Sequence, residues 1–492
     1  VGLVKKHIIK RAKRWAKFKL LMLVALVILA GRIAFVASPE GDTAFLSAND
    51  RSRWCTIASL VENNTYAIDE VIAIQAPDQP NRHPWQTIDK VQHRGKDGKL
   101  HYYSSKPPLF PTMVAGVYWC IHRSTGLKIT DHPIWIPRVI LFLVNLPLYA
   151  IFLWSMASVI DHVCRTAWAK YVSLTTACFG TMLLPFSISL GNHLPAAAAV
   201  AVATAIYFYS AEILDDEFGA WKSVHPLVYF SAGVAVAMAV ANELPALSMA
   251  VLFVGLFCML EKASIVPIFF GSALVAVAFF GTNWIAHQSL VPPYAHRGNG
   301  MKVGSFGKGE IQNDPSEDRL INQIELHLRD VNRLEKPENA KLFDSDEAKR
   351  WRIVAGNRDY ALLDGGDRWE LRLWDDWYEY PNSYWQDGRR QGVDRGEPSR
   401  LAYLFHITLG HHGMLSLTPI FLLIPFGMIR LMLFGPADLM RFAVAVLIAS
   451  LVCIGFYVMR PLIDRNYGGV SAYFRWVLWF TPLWIPMVAV TL

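Results

Sequence analysis

Residues 20–37 read LLMLVALVILAGRIAFVA, and the segment before them carries Lys5, Lys6, Lys10, Arg11, Lys13, Arg14, Lys17 and Lys19 without a single acid. An apolar block of that length, broken only by Arg32, is long enough to cross a ~30 Å hydrocarbon layer as a helix. The basic stretch 1–19 then reads as a cytoplasmic anchor against anionic lipid. A cleavable signal peptide is the rival reading of residues 1–37. The length of the block and the lack of a clean A-x-A site speak against it.

Similar apolar blocks recur along the whole chain. Of its 492 residues 53% are hydrophobic and 18% charged, with a mean hydropathy of +0.27. Soluble domains hold about 25% charged residues. The formal charge of +7 comes largely from the N-terminal cluster, so a lipid surface rather than a nucleic acid is the expected partner. The six cysteines are scattered without paired spacing and imply neither a disulfide framework nor a zinc site.

Because a lipid-exposed backbone must satisfy its own hydrogen bonds, the apolar blocks are expected to be helices. The expected fold is therefore an all-α polytopic membrane protein of about ten spans: residues 20–37, 133–160, 171–190, 193–209, 227–241, 245–260, 265–286, 414–433, 442–458 and 474–492. The domain plan is a basic tail 1–19, a seven-span core 20–286 with a long outer loop 38–132, a charged aromatic insertion 287–405, and C-terminal spans 406–492. Leu109 to Ile121 is short for a crossing and is expected to be interfacial or re-entrant. His162, Arg165, Lys170, Lys222, Lys262, Arg430 and Arg441 fall inside on this count, as do Asp215, Asp216 and Glu217 in a solvated turn. The positive-inside rule agrees. The insertion is rich in Trp369, Trp374, Trp377, Tyr378, Tyr380, Tyr384 and Trp385 and reads as a folded cap or a lid. The chain stops inside its last apolar block, as a piece of something longer would.

The outer segments hold the chemistry. The first begins Asn49-Asp50-Arg51-Ser52-Arg53-Trp54-Cys55-Thr56-Ile57-Ala58 and ends Tyr102-Tyr103-Ser104-Ser105-Lys106-Pro107-Pro108-Leu109. A carboxylate beyond the first span supplies a base, and a lysine at the mouth of an apolar helix supplies a phosphate-binding cation. The structural alternatives are a helix cap for Asp50 and a helix-starting proline pair for the second run. Gly191-Asn192-His193-Leu194-Pro195 and Asn242-Glu243 occupy outer turns. An ionisable Glu243 at membrane depth costs about 2.5–3.5 kcal/mol and so should face a cavity. Near the C-terminus, Arg460, Arg465 and Asn466-Tyr467-Gly468-Gly469 lead to Arg475, whose planar fork suits an oxyanion, with snorkelling as the alternative. His411 and His412 are adjacent, point about 100° apart on a helix, and make a poor metal pair. Asn63-Asn64-Thr65 fits the N-glycosylation pattern.

In this order the motifs resemble those of the GT-C glycosyltransferases, multispan enzymes such as protein O-mannosyltransferases and the lipid A aminoarabinose transferase, which use polyprenyl-phosphate sugars. The family's D-E-x-R-Y-A-x-I-A is matched by Asp50, Arg53, Trp54, Ile57 and Ala58, with Arg51 in place of the second acid. Its K-P-P-L is matched by Lys106 to Leu109, and its arginine entering the second span by Arg138. The resemblance covers residues 20–290. It implies transfer of a sugar to an extracytoplasmic acceptor, with Asp50 catalytic; Lys106, Arg475 and Arg53 on the donor phosphate; and His193, Asn192, Glu243, Tyr102 and Tyr103 around sugar or acceptor. No cofactor is expected: the departure at Gly191–Pro195 from an acidic turn speaks against the second carboxylate that a divalent metal would need, with a metal kept as the alternative. Alternatives are a lipid-linked oligosaccharide ligase or polymerase, a transporter or flippase, and a membrane scaffold.

Overall fold

The computed structural model describes residues 2–77, 79–215, 223–307, 341–345, 347, 349–355, 358–386, 388–469 and 472–492. The expected inner turn at Asp216 and Glu217, Lys222, and insertion residues 308–340 lie outside them. The chain divides into two compact units, one of residues 1–64, 107–282 and 391–492, the other of residues 65–106 and 283–390. Each long outer segment expected from the sequence is therefore divided: the loop 38–132 gives its two ends to the first unit and its middle to the second, and the insertion 287–405 gives only its last part, from 391, to the first.

The first unit is helical. α1 (Gly2–Ala34) runs without a break through the basic tail and the apolar block. Phe18, Met22, Ala25, Leu29 and Ile33 form its buried stripe at helical spacing, while Leu20, Leu23 and Val27 face outward. α2 (Ala48–Glu62) and α3 (Leu109–Thr125) follow, then α4 (Trp135–Val163), α5 (Ala167–Phe179), α6 (His193–Asp215), α7 (Pro226–Asn242), α8 (Leu247–Leu260) and α9 (Ile265–His287). The C-terminal part adds α10 (Arg400–Thr408), α11 (Ile424–Phe434), α12 (Ala437–Met459) and α13 (Thr481–Thr491).

Among the described residues, four segments are long and apolar enough to cross a membrane: Trp135–Val163, His193–Asp215, Lys262–His287 and Ala437–Met459. Pro226–Asn242, Leu244–Leu260 and Pro419–Phe434 are apolar but shorter. The expected span 171–190 is broken, because Gly180 caps α5 and only a single turn, Leu183–Phe186, follows before the chain bends. The expected span 474–492 is likewise divided into a 3-10 stretch, Arg475–Phe480, and α13, which has Pro482 in its first turn. Large apolar side chains on α9, among them Phe269, Phe270 and Val277, are left uncovered by protein. In water each such side chain would forgo about 1.5–3 kcal/mol of burial.

Helix pairs approach closely where small residues meet. A Cβ on Gly233 of α7 would stand 2.2 Å from the Ile268 carbonyl oxygen, and one on Gly271 of α9 would stand 2.1 Å from that of Phe230. Ser272 Oγ donates to the Gly233 carbonyl across the same crossing at 3.1 Å. Contacts of this kind are how apolar helices associate where the hydrophobic effect is weak.

The second unit corrects the all-α expectation. Its first part holds the hairpin β1 (Lys90–Arg94) and β2 (Leu100–Ser104). The insertion folds as an antiparallel sheet of β3 (Asn299–Gly307), β4 (Lys341–Asp344), β5 (Arg350–Ala355), β6 (Arg358–Asp364) and β7 (Arg368–Trp374), in the order β3-β7-β6-β5-β4. Alternate residues Ile353 and Ala355, Tyr360 and Leu362, Trp369 and Leu371 make one apolar face. The turn between β6 and β7 uses Gly366 at φ +90°, with its N–H donated to Asp364 Oδ1. A second cluster joins the two parts of the unit: Val91 and Tyr103 from the hairpin pack with Trp377 and Tyr378.

Candidate functional site

The first unit gathers five of the sequence-selected residues into one hydrogen-bonded chain. It begins at the N-terminus of α2, where Ser47 caps the helix by accepting the Asp50 N–H at 3.1 Å. Asp50 is only 2% exposed. Its Oδ2 accepts the Leu46 N–H at 3.0 Å and its Oδ1 the Leu190 N–H at 3.1 Å. The carboxylate thus closes the start of α2 and clamps it to the turn preceding α6. Burial raises its pKa above the ordinary carboxylate value, opposed by the two backbone N–H groups and by the Arg53 charge.

Arg53 lies one turn further along the same face of α2. It donates to the Asn49 carbonyl at 3.2 Å, to Asn49 Oδ1, to the Leu190 carbonyl at 3.4 Å and to Asn192 Oδ1 at 2.7 Å. Asn192 passes the chain on, its Nδ2 donating to the Asn242 carbonyl at 2.8 Å and to Glu243 Oε1 at 2.7 Å. Glu243 caps the end of α7 and is 5% exposed. The same Oε1 takes His193 Nδ1 at 2.6 Å, with His193 6% exposed at the start of α6. The turn carrying Asn192 and His193 is held from below by Asn145 of α4, which donates to the Ser187 and Ser189 carbonyls, both at 2.8 Å.

Arg475 stands close enough to His193 for its charge to act on the ring, as does Arg53. The backbone before it makes room: Gly468, at φ +86°, would carry a Cβ 2.7 Å from Arg475 Nε. Two carboxylates, two guanidiniums and an imidazole thus meet at the ends of apolar helices. This is the chemistry needed to hold an anion and to move a proton.

The other expected site residues lie in the second unit and are engaged there. Lys106 pairs with Asp89 at 3.1 Å. Tyr102 packs under Lys90, whose Nζ is 4.4 Å from the ring centre, and Tyr103 stacks on His93 with centroids 4.1 Å apart. Structural tasks account for several further residues. Glu62 accepts from the Tyr118 hydroxyl at 2.6 Å and from the Ile129 and Thr130 backbone at 3.0 and 3.3 Å, tying α2 to α3 and the segment after it. Arg138 donates to the Val36 carbonyl at 2.9 Å. Arg460 pairs with Asp464, and Arg465 donates to the Pro398 carbonyl. His411 stacks on His406, and His412 lies flat on Tyr467 at 4.2 Å. No group of three or more metal-type ligands is present among the described residues.

Sequence reasoning missed a set of stacked histidines in the second unit. His93 is sandwiched between Tyr103 and Trp377, each centroid 4.1 Å away, and its Nε2 is 3.0 Å from His287 Nδ1. His296 lies flat on Trp377 at 3.5 Å, its Nδ1 2.5 Å from Asp375. No repeating pattern marks this set: β1 reads Lys90-Val91-Gln92-His93-Arg94 and β2 Leu100-His101-Tyr102-Tyr103-Ser104.

No protein-family model matches the chain, and neither any curated protein nor any solved structure is detectably similar to it.

Proposed function

We propose that the protein is a multispan membrane glycosyltransferase, moving a sugar from a polyprenyl-phosphate donor to a hydroxyl-bearing acceptor on the extracytoplasmic side by an inverting displacement. The observation that carries the reading is a buried set at helix ends in the apolar unit: the motif residues Asp50 and Arg53 meet at the Leu190 backbone, and Arg53 continues through Asn192 and Glu243 to His193. The basic start of α1 sets the N-terminus on the cytoplasmic side. About ten membrane passes follow if the shorter and broken apolar helices also cross.

In this reading the donor's phosphate leaves toward guanidinium charge. Arg53 and Arg475 supply it, in a setting where low dielectric makes each interaction count for more than in water. The role of Lys106 rests on the motif resemblance alone. The test is incubation of the purified full chain with a panel of polyprenyl-phosphate sugars and hydroxyl acceptors. Sugar-dependent release of the lipid phosphate is expected with at least one donor, and its absence across the panel overturns the reading.

A further inference from the structure

The chain of hydrogen bonds does not treat its two carboxylates alike. Each oxygen of Asp50 already holds a backbone N–H, and the side chain is almost wholly enclosed. Glu243 concentrates its bonding on one oxygen: Oε1 takes both His193 Nδ1 and Asn192 Nδ2. A carboxylate at 2.6 Å fixes the proton of the neutral imidazole on Nδ1. The lone pair is then on Nε2. Among the described residues Nε2 has no hydrogen-bond partner, and it is not sealed from solvent.

A histidine with its proton fixed on one nitrogen by a buried carboxylate, and an open lone pair on the other, is the arrangement by which a side chain removes a proton from a hydroxyl. We propose that His193 Nε2 is the proton acceptor of this site and that Glu243 is its positioning residue, with Asp50 holding the scaffold that carries them. The proposal rests on the transferase reading above. It names the base within it and specifies an acceptor that attacks through a hydroxyl.

The step balances within the two substrates and the protein. The acceptor oxygen forms a bond to the anomeric carbon while its proton passes to Nε2. The bond from that carbon to the phosphate oxygen breaks, and the electron pair leaves on the lipid phosphate. The imidazolium that results faces Glu243 as its counter-ion, with Arg53 and Arg475 the other charged groups acting on the ring. Phe186, edge-on to the ring at 5.9 Å, and the Glu243 bond at Nδ1 limit its rotation. The imidazolium returns its proton to solvent before the next turnover.

The experiment compares wild type, His193→Gln, Glu243→Gln and the double variant as purified full-length protein. It measures lipid-phosphate release between pH 5 and 9, with melting temperature recorded for each. His193→Gln is expected to lose roughly 10²–10⁴-fold in kcat with KM for the donor little changed, which is the usual share of a general base. Its residual rate should lack the acid limb of the wild-type profile and rise with added imidazole. Glu243→Gln should lose less, and the double variant no more than His193→Gln alone, because the two act as a unit. Wild-type turnover with an unchanged acid limb in His193→Gln overturns the base assignment and leaves the transferase reading standing. A wild type that is inactive on every donor overturns both. If His193→Gln does not fold, Glu243→Gln decides: an unaltered rate and pH profile there sinks the dyad.

Discussion

Two histidines, His93 and His193, are both more than nine-tenths buried, in different units, and their surroundings differ in kind. His193 sits among charges: a glutamate on one nitrogen and two arginine fields around the ring. His93 sits among rings, between Tyr103 and Trp377, with a backbone carbonyl at 2.9 Å on Nδ1 and another histidine on Nε2. In the first, Glu243 favours a proton that arrives on the ring and the two arginine charges oppose it. The second offers a backbone carbonyl and no carboxylate, and burial pushes the His93 pKa down from 6.5 to about 4. Burial alone therefore does not mark a functional histidine; what matters is whether its neighbours can answer a change of charge.

The comparison breaks most easily at its charged end. Replacing Asp50 with Ala leaves the Leu46 and Leu190 N–H groups without their acceptor and removes a negative charge that acts on Arg53. A loss of about 2–5 kcal/mol is expected, each buried donor left unsatisfied costing about 1–3 kcal/mol. Thermal unfolding in detergent reads it. A melting temperature within a degree or two of wild type would show that Asp50 is not a clamp.

At the aromatic end the expected effect is a pH dependence. Between pH 6.5 and about 4 the unfolded chain binds a proton at His93 that the folded chain does not. Stability is thus complete above pH 6.5 and declines as the pH falls toward 4, by about 3 kcal/mol over the whole interval at 1.36 kcal/mol per pH unit. Hydrogen exchange at the β1 and β2 amides should accelerate accordingly, once corrected for the intrinsic effect of pH. Equal protection at pH 7 and pH 4.5 would remove His93 as the cause.

The smallest effect sharpens the contrast from the surface. His101, on β2, is bonded by Asp97 at 3.0 Å and Asp69 at 3.1 Å, and its pKa is raised, chiefly by Asp97. The stability this contributes is complete below pH 6.5 and lost as pH rises through the folded pKa, the opposite sense to His93. Asp97→Asn should bring the His101 titration, followed by NMR, back toward 6.5 with no measurable change in melting temperature.

How much of this could be read from the sequence depended on the period of the pattern. Apolar blocks long enough to span declared themselves, and Trp135–Val163 and Ala437–Met459 fall close to where the composition puts them. Breaks inside blocks did not. Gly180 and the prolines at 185, 482 and 486 sit in runs that remain apolar throughout, so hydropathy alone passes over them. The sheet was legible and went unread. Arg368-Trp369-Glu370-Leu371-Arg372-Leu373-Trp374 alternates with period two, and Asp364-Gly365-Gly366-Asp367 before it is a hairpin turn. Its density of Trp and Tyr supports a cap or lid without distinguishing a sheet from a loop.

In the site, Asp50, Arg53, Asn192, His193 and Glu243 were chosen as ionisable or amide groups near the ends of apolar runs, and they are brought together. What spacing could not say is which carboxylate would be tied down. That depends on the Leu190 N–H, a backbone group no side-chain pattern reports.

The crossing of α7 and α9 at Gly233 and Gly271 also constrains inheritance. The atoms that a new side chain would strike on either helix are carbonyl oxygens, which every residue type possesses. A bulky replacement at 233 or 271 therefore has no compensating substitution on the opposite helix, since there is no opposing side chain to shrink. Glu243 lies ten positions beyond Gly233, about 15 Å along the axis. The height of the candidate site's acid is thus pegged to a crossing that tolerates no second-site suppressor, and a genetic screen for suppressors of Gly233→Leu should return only true revertants or small residues at that same codon.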